Sequence, residues 1–222
     1  MKLDYWATML TARSLTRLLC RIDDHSLKQV PQQGPLIIVC NHINALEVPI
    51  VFPRLQPRPV TGFAKSETWD NPILGPLFDI WDVIPIRRGQ PDITALRQGL
   101  KVLEDGKILA ITPEGTRSGD GRLQQGHPGV VMLALHSGAP ILPLVYYGNE
   151  DFHHNLRHLR RTDFRIRVGK PFQIETPKKV TTEMRRKITD EIMYQMAVLL
   201  PPQYRGVYSD MSAVSSEYLR LN

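Results

Sequence analysis

Only two of the 222 residues are cysteine, Cys20 and Cys40. Two thiols so far apart in sequence make neither a disulfide framework nor a metal site, so a reducing compartment is expected and no metal is. No secretory leader is expected either, because the first 20 residues carry Lys2, Asp4, Arg13 and Arg17 among their apolar positions and lack a small-residue cleavage site. Residues 123–149 contain no Asp, Glu, Lys or Arg, a length that would cross a bilayer. Ser137-Gly138-Ala139-Pro140 breaks that stretch into halves of different periodicity, which predicts a helix followed by a strand and no transmembrane span. Repeats and low-complexity tracts are absent, and the length suits one domain with its own core. The chain also lacks a recognition helix, an interleaved aromatic and basic platform and a zinc pattern, so no nucleic acid is expected. Its net charge of +6 nevertheless favours anionic partners such as acidic lipid headgroups or phosphorylated metabolites.

Strand and helix signals alternate along what is present. Leu36–Cys40 (LIIVC) is apolar throughout, as in a strand covered on both faces. Lys107–Thr112 (KILAIT) and Ile141–Tyr147 (ILPLVYY) read as further strands, and Phe164–Val168 (FRIRV) alternates like a strand nearer an edge. Ile93, Leu96, Leu100 and Leu103 form a helical stripe with Asp92 as cap and Gly106 as stop. Residues 130–136 predict another helix, and Ile188, Ile192, Met193, Met196, Leu199 and Leu200 a last one, ended by Pro201-Pro202. Residues 1–20 predict an amphipathic N-terminal helix, with Trp6, Met9, Leu10, Leu15, Leu18 and Leu19 mostly on one face, ahead of a single domain over residues 21–222. Core packing and docking on a membrane surface both remain open for that face. The fold class expected is α/β: a single domain with a mixed, mostly parallel sheet flanked by helices.

NHINALE, residues 41–47, follows the LIIVC strand. Positions five apart on a straight helix are separated by about 140°, so His42 and Glu47 meet only if His42 precedes the helix. Asn44 then suits the N-cap, with Glu47 three residues on completing a capping box, although Pro49 would forfeit an interior hydrogen bond there. Two readings stand: Glu47 caps the helix, or it fixes the tautomer of His42 and stabilises the imidazolium that forms when His42 takes a proton. A histidine at a strand's carboxyl end faces the crevice where α/β sheets bind ligands. No Gly-x-Ser-x-Gly elbow accompanies it, which disfavours a hydrolase-type acyl-enzyme.

TPEGTRS, residues 112–118, follows the KILAIT strand and offers a carboxylate, a glycine, two hydroxyls and the planar guanidinium of Arg117. Upstream lies IPIRRG, residues 84–89, with two more guanidiniums. In this order NHINALE, VIPIRRG, TPEGTRS and APILPLVYYG resemble the four blocks of the glycerolipid acyltransferase family that includes 1-acylglycerol-3-phosphate acyltransferases, over roughly residues 30–150. The resemblance implies that His42 is the general base and Glu47 its acid partner, where the family's usual acid is the shorter aspartate. It further implies that Arg88, Glu114, Gly115, Thr116 and Arg117 bind a phosphate-bearing acceptor, with Lys65 of AKSE a further candidate. Thr112 and His127 depart from the family's usual apolar residue and lysine. The implied reaction carries a fatty acyl group from acyl-CoA or acyl carrier protein to the hydroxyl of 1-acylglycerol 3-phosphate, giving phosphatidate, with no cofactor beyond the thioester cosubstrate. Glycerol 3-phosphate, another lipid acceptor, or a non-catalytic lipid-binding role are the alternatives. Residues 151–170 hold six Lys or Arg against two Asp and, with the N-terminal helix, predict peripheral attachment to an anionic membrane at its cytoplasmic face.

Overall fold

The computed structural model describes residues 3–87, 92–175 and 180–221. In chain order the elements are α1 (Leu3–Leu19), β1 (Cys20–Asp23), β2 (Leu36–Cys40), α2 (Glu47–Leu55), β3 (Val60–Lys65), α3 (Leu74–Ile80), β4 (Ile84–Ile86) and α4 (Ile93–Glu104). There follow β5 (Ile108–Ile111), α5 (Gly129–Ser137), β6 (Ile141–Tyr147), α6 (Phe152–Arg157), β7 (Thr162–Val168), β8 (Phe172–Ile174), α7 (Thr182–Leu199) and β9 (Leu219–Leu221). The described strands form one sheet in the order β1-β7-β6-β2-β5-β3-β4, with β8 added to β6 and β9 to β8. Strands β2 to β6 run parallel, whereas β7 is antiparallel to β6 and parallel to β1. The sheet is therefore mixed and mostly parallel, and helices cover both of its faces.

Central β2 shows why LIIVC carries no alternation. Leu36, Ile38 and Cys40 pack on one side with Ile50, Phe52 and Met9, while Ile37 and Val39 pack on the other with Leu133, Ile192 and Met196. Both faces are core, so an apolar residue is needed at every position. On α4 the side turned inward is Ala95, Gly99 and Leu103, with Leu96 and Leu100 at its margin and Ile93 exposed, a shift from the expected stripe. Gly99 permits the close approach, since a Cβ there would lie 2.9 Å from Phe63 Cζ. Asp92 caps this helix by accepting from the Ala95 N–H at 3.0 Å, and Gly106, at φ 71°, follows its end.

The N-terminal helix departs from the single apolar face expected of it. Tyr5, Met9 and Thr16 face inward, whereas Trp6, Leu10, Leu15 and Leu18 are exposed. Polar bonds tie the inner face down: Trp81 Nε1 donates to Thr8 Oγ1 at 3.0 Å and Gln56 Nε2 to Tyr5 Oη at 2.9 Å. Apolar groups thus lie on both sides of α1, one side in the core and the other in solvent.

Candidate active site

Parallel β2, β5 and β6 deliver their following loops to one edge of the sheet, and the site is built there. Asn41, directly after β2, prolongs the β2–β6 ladder with its side chain: its Nδ2 donates to the Tyr146 carbonyl and its Oδ1 accepts from the Tyr146 N–H, each at 2.9 Å. This anchors the turn that carries His42. His42 Nδ1 lies 3.0 Å from Glu47 Oε2, and the carboxylate is 3% exposed. Glu47 Oε1 accepts from the Asn44 N–H at 2.9 Å and from Asn149 Nδ2 at 3.0 Å. Every contact on this carboxylate comes from a nitrogen donor, so Nδ1 donates as well, and Nε2 remains the imidazole nitrogen with a free lone pair.

Capping and pairing are consequently both real, on different oxygens. The capping box is only half formed: Glu47 reaches back to the Asn44 N–H, but Asn44 Oδ1 accepts from Leu46 at 2.9 Å in an Asx turn, and the helix starts at Glu47 rather than at Ala45. That later start corrects the expectation for Pro49 as well. The proline falls within the first helical turn, where a backbone N–H would have no intrahelical partner.

The TPEGTRS loop lies against this turn and holds its backbone. His42 N–H donates to Glu114 Oε1 at 3.0 Å, Ser118 N–H donates to the His42 carbonyl at 2.7 Å, and Gly119 N–H to the Ile43 carbonyl at 3.2 Å. Glu114 Oε2 accepts from the Gln124 N–H at 2.9 Å, so both oxygens of this 2%-exposed carboxylate are taken by main-chain donors. Burial pushes Glu114 up to about 7, against the pull of those two N–H groups. Its side chain therefore braces the histidine turn, with both oxygens engaged by the main chain. Cys40, two residues before His42, is buried with its Sγ 3.6 Å from the Ile111 carbonyl, and burial pushes its thiol up to about 12. A thiol so held is no nucleophile.

Comparison with known proteins gives the family. The family model described as Acyltransferase matches residues 21–147. The chain belongs to the acyltransferase family. Among its relatives, the 1-acyl-sn-glycerol-3-phosphate acyltransferase of Limnanthes alba is 35% identical over 136 residues, which are 59% of this chain and 45% of the relative. That of Bacillus subtilis (strain 168) is 27% identical over 125 residues, covering 56% of this chain and 61% of the relative. The lyso-ornithine lipid O-acyltransferase of Pseudomonas aeruginosa is 30% identical over 117 residues, 52% of this chain and 44% of the relative. The chain thus spans about half the length of these curated relatives. Its fold is that of the crystal structure of the 1-acyl-sn-glycerophosphate (LPA) acyltransferase PlsC from Thermotoga maritima, with a TM-score of 0.63 at 21% identity over 85% of this chain and 76% of the other.

Other motif residues of the chain are placed as follows. Gly115 takes φ 68°, and a Cβ there would lie 3.3 Å from His127 Cδ2 as well as being strained. Thr116 and Arg117 are exposed beside the crevice, and the Arg117 side chain has no hydrogen-bond or ion-pair partner among the described residues. Lys65 is exposed at the end of β3, in register with Ile86 of β4. Arg88 lies outside the described residues. Sequence reasoning missed Asn41 and Asn149, and it assigned Asn44 the wrong turn. The adjacency of Asn41 to His42 was a usable signal; nothing local marks Asn149.

Proposed function

We propose that the chain is an O-acyltransferase that moves a fatty acyl group from acyl-CoA or acyl carrier protein to the hydroxyl of 1-acylglycerol 3-phosphate, giving phosphatidate. The contact of His42 Nδ1 with Glu47 Oε2 at the sheet's carboxyl edge carries this reading, since it presents Nε2 as a proton acceptor. Nε2 takes the acceptor's hydroxyl proton as that oxygen attacks the thioester carbonyl, and Glu47 stabilises the imidazolium. The tetrahedral oxyanion collapses, the C–S bond breaks, and the thiolate leaves with the proton returned by His42. The reaction is a direct transfer between bound substrates and needs no resident cofactor. Unpartnered Arg117 supports recognition of the acceptor phosphate, with Lys65 and Arg88 as further cations of the same motif set.

A second acceptor is favoured by the Pseudomonas relative, whose name specifies a lyso-ornithine lipid. Thiol release from acyl-CoA, measured with 1-acylglycerol 3-phosphate, glycerol 3-phosphate and lyso-ornithine lipid in parallel, separates these readings. Turnover only with the first is expected, and turnover only with the last would replace it. Arg117→Lys should raise the KM for a phosphate-bearing acceptor while leaving the donor KM nearly unchanged, because an ammonium keeps the charge but not the bidentate fork.

The proposed setting is the cytoplasmic face of a membrane, with attachment from one side. No helix among the described residues is long and apolar enough to cross a bilayer. The exposed face of α1 supplies Leu3, Trp6, Leu10, Leu15 and Leu18, while α6 supplies Leu156 and the turn after it Leu159, the latter 95% exposed. Arg161 Nη2 donates to the Arg17 carbonyl at 2.7 Å, which joins that turn to the end of α1. The basic run contributes less than its composition suggests. Arg161 serves this structural bond, Arg165 pairs with Asp163 at 3.1 Å and Arg167 with Asp23 at 2.8 Å, leaving Arg157, Arg160 and Lys170 exposed for lipid phosphates.

A further inference from the structure

Asn149 follows β6, is 0% exposed, and lies 102 positions from Glu47, yet its Nδ2 is 3.0 Å from Glu47 Oε1. Its main-chain carbonyl accepts from Asn44 Nδ2 at 2.8 Å, so the residue bonds both Glu47 and Asn44, whose N–H is the other donor to Oε1. Its own Oδ1 is buried without a hydrogen-bond partner among the described residues. An unpaired buried amide oxygen is costly, and turning the amide over would set that oxygen against a carboxylate, so the orientation is fixed by the bond at its other end.

We propose that Asn149 is a positioning residue for the His42–Glu47 pair, a role that rests on His42 being the base. A glutamate has one more rotatable bond than an aspartate and reaches His42 in one geometry only if its carboxylate is held. Two donors from different parts of the chain, the Asn44 N–H at 2.9 Å and Asn149 Nδ2, pin Oε1 and turn Oε2 to the imidazole. Asn149 thereby fixes which imidazole nitrogen carries the proton without touching a substrate. Only an amide suits this place: a carboxylate would repel Glu47, and a smaller side chain would leave Oε1 with one anchor.

A double-mutant cycle on the full chain tests this, with kcat, both KM values and the NMR signal of the His42 Nδ1 proton measured together. Asn149→Ala should lower kcat about 10- to 100-fold, the scale seen when a partner that orients a reacting group is removed. Acceptor and donor KM should stay within about twofold, and the same substitution in a Glu47→Gln background should cost nothing more. The Nδ1 proton, held on Glu47 in the parent, should broaden through exchange in the variant. Asn149→Leu keeps much of the shape and removes the donor without adding a charge, so it carries the same expectations if the alanine variant does not fold. An equal loss in both backgrounds, unchanged kcat, or a proton signal as sharp as the parent's would overturn the assignment. A parent chain inactive on every acceptor, whose proton signal still responds to Asn149, would sink the proposed reaction and leave the positioning role standing.

Discussion

Glu47 divides its carboxylate between two tasks, Oε2 on His42 Nδ1 and Oε1 on the Asn44 and Asn149 donors, and a single substitution separates them. In Glu47→Gln the amide oxygen can keep both Oε1 donors, but the NH2 then faces Nδ1, which forces the proton onto Nε2 and removes the base. A kcat loss of about 10²- to 10⁴-fold is expected, with a stability change of roughly 1 kcal/mol at most. A large stability loss with kcat per folded molecule retained would make Glu47 a cap and nothing else. Glu114 gives a pH-dependent prediction. Its value is raised by burial from 4.5 to about 7, so the folded chain holds this proton more tightly than the unfolded chain does. The stability it contributes is fully present below 4.5 and is withdrawn as pH rises through about 7. Parent stability minus that of Glu114→Gln should therefore fall, by on the order of 3 kcal/mol, from acid to neutral pH. Denaturant titrations across that range check the sign, and a pH-independent difference would contradict it. His42 and Glu47 were legible because they are near neighbours and chemically matched. Asn149 was not, because only folding brings the end of β6 to the start of α2; nor was the inward direction of Glu114, because residue type and spacing do not show which way a carboxylate points.

Among the elements, apolar runs were legible where burial forces them, as in LIIVC and ILPLVYY, whose strand limits match β2 and β6. Which side of α1 faces the core was not, since Tyr5 and Thr16 pack inward while Trp6 and Leu10 stay out, and hydrophobicity alone ranks them the other way. The turn after α6 holds a comparable surprise. Leu159 is 95% exposed and has φ 52°, a left-handed conformation that suits glycine far better than leucine. Leu159→Gly should stabilise the fold by roughly 0.5 kcal/mol, the left-handed penalty less the entropy of a glycine, and should weaken binding to anionic vesicles. Thermal unfolding and cosedimentation together check this pair of opposite effects. Unchanged vesicle binding would remove Leu159 from the docking surface.

For the molecule as a whole, α1 is both part of the core and part of the proposed membrane face, so cutting it away would expose the pocket filled by Tyr5 and Met9. Trp6→Glu with Leu10→Glu is the cleaner test, because both side chains point outward; it should abolish salt-sensitive vesicle binding with little change in unfolding temperature. The α/β class and the order of the motif blocks were legible, because alternating strand and helix patterns are local. The sheet order and the antiparallel entry of β7 between β1 and β6 were not, since residues distant in sequence decide them. Three of the four motif blocks meet in one unit, in which the loop after β5 braces the turn after β2 and the loop after β6 pins its acid. On the proposed reading, that assembly presents His42 Nε2 to take the acceptor's proton. Acyl transfer by His42→Ala, followed as thiol release from acyl-CoA in the presence of 1-acylglycerol 3-phosphate, tests this most directly. A fall of about 10²- to 10⁴-fold is predicted with unfolding behaviour unchanged, and near-parental turnover by the folded variant would contradict it.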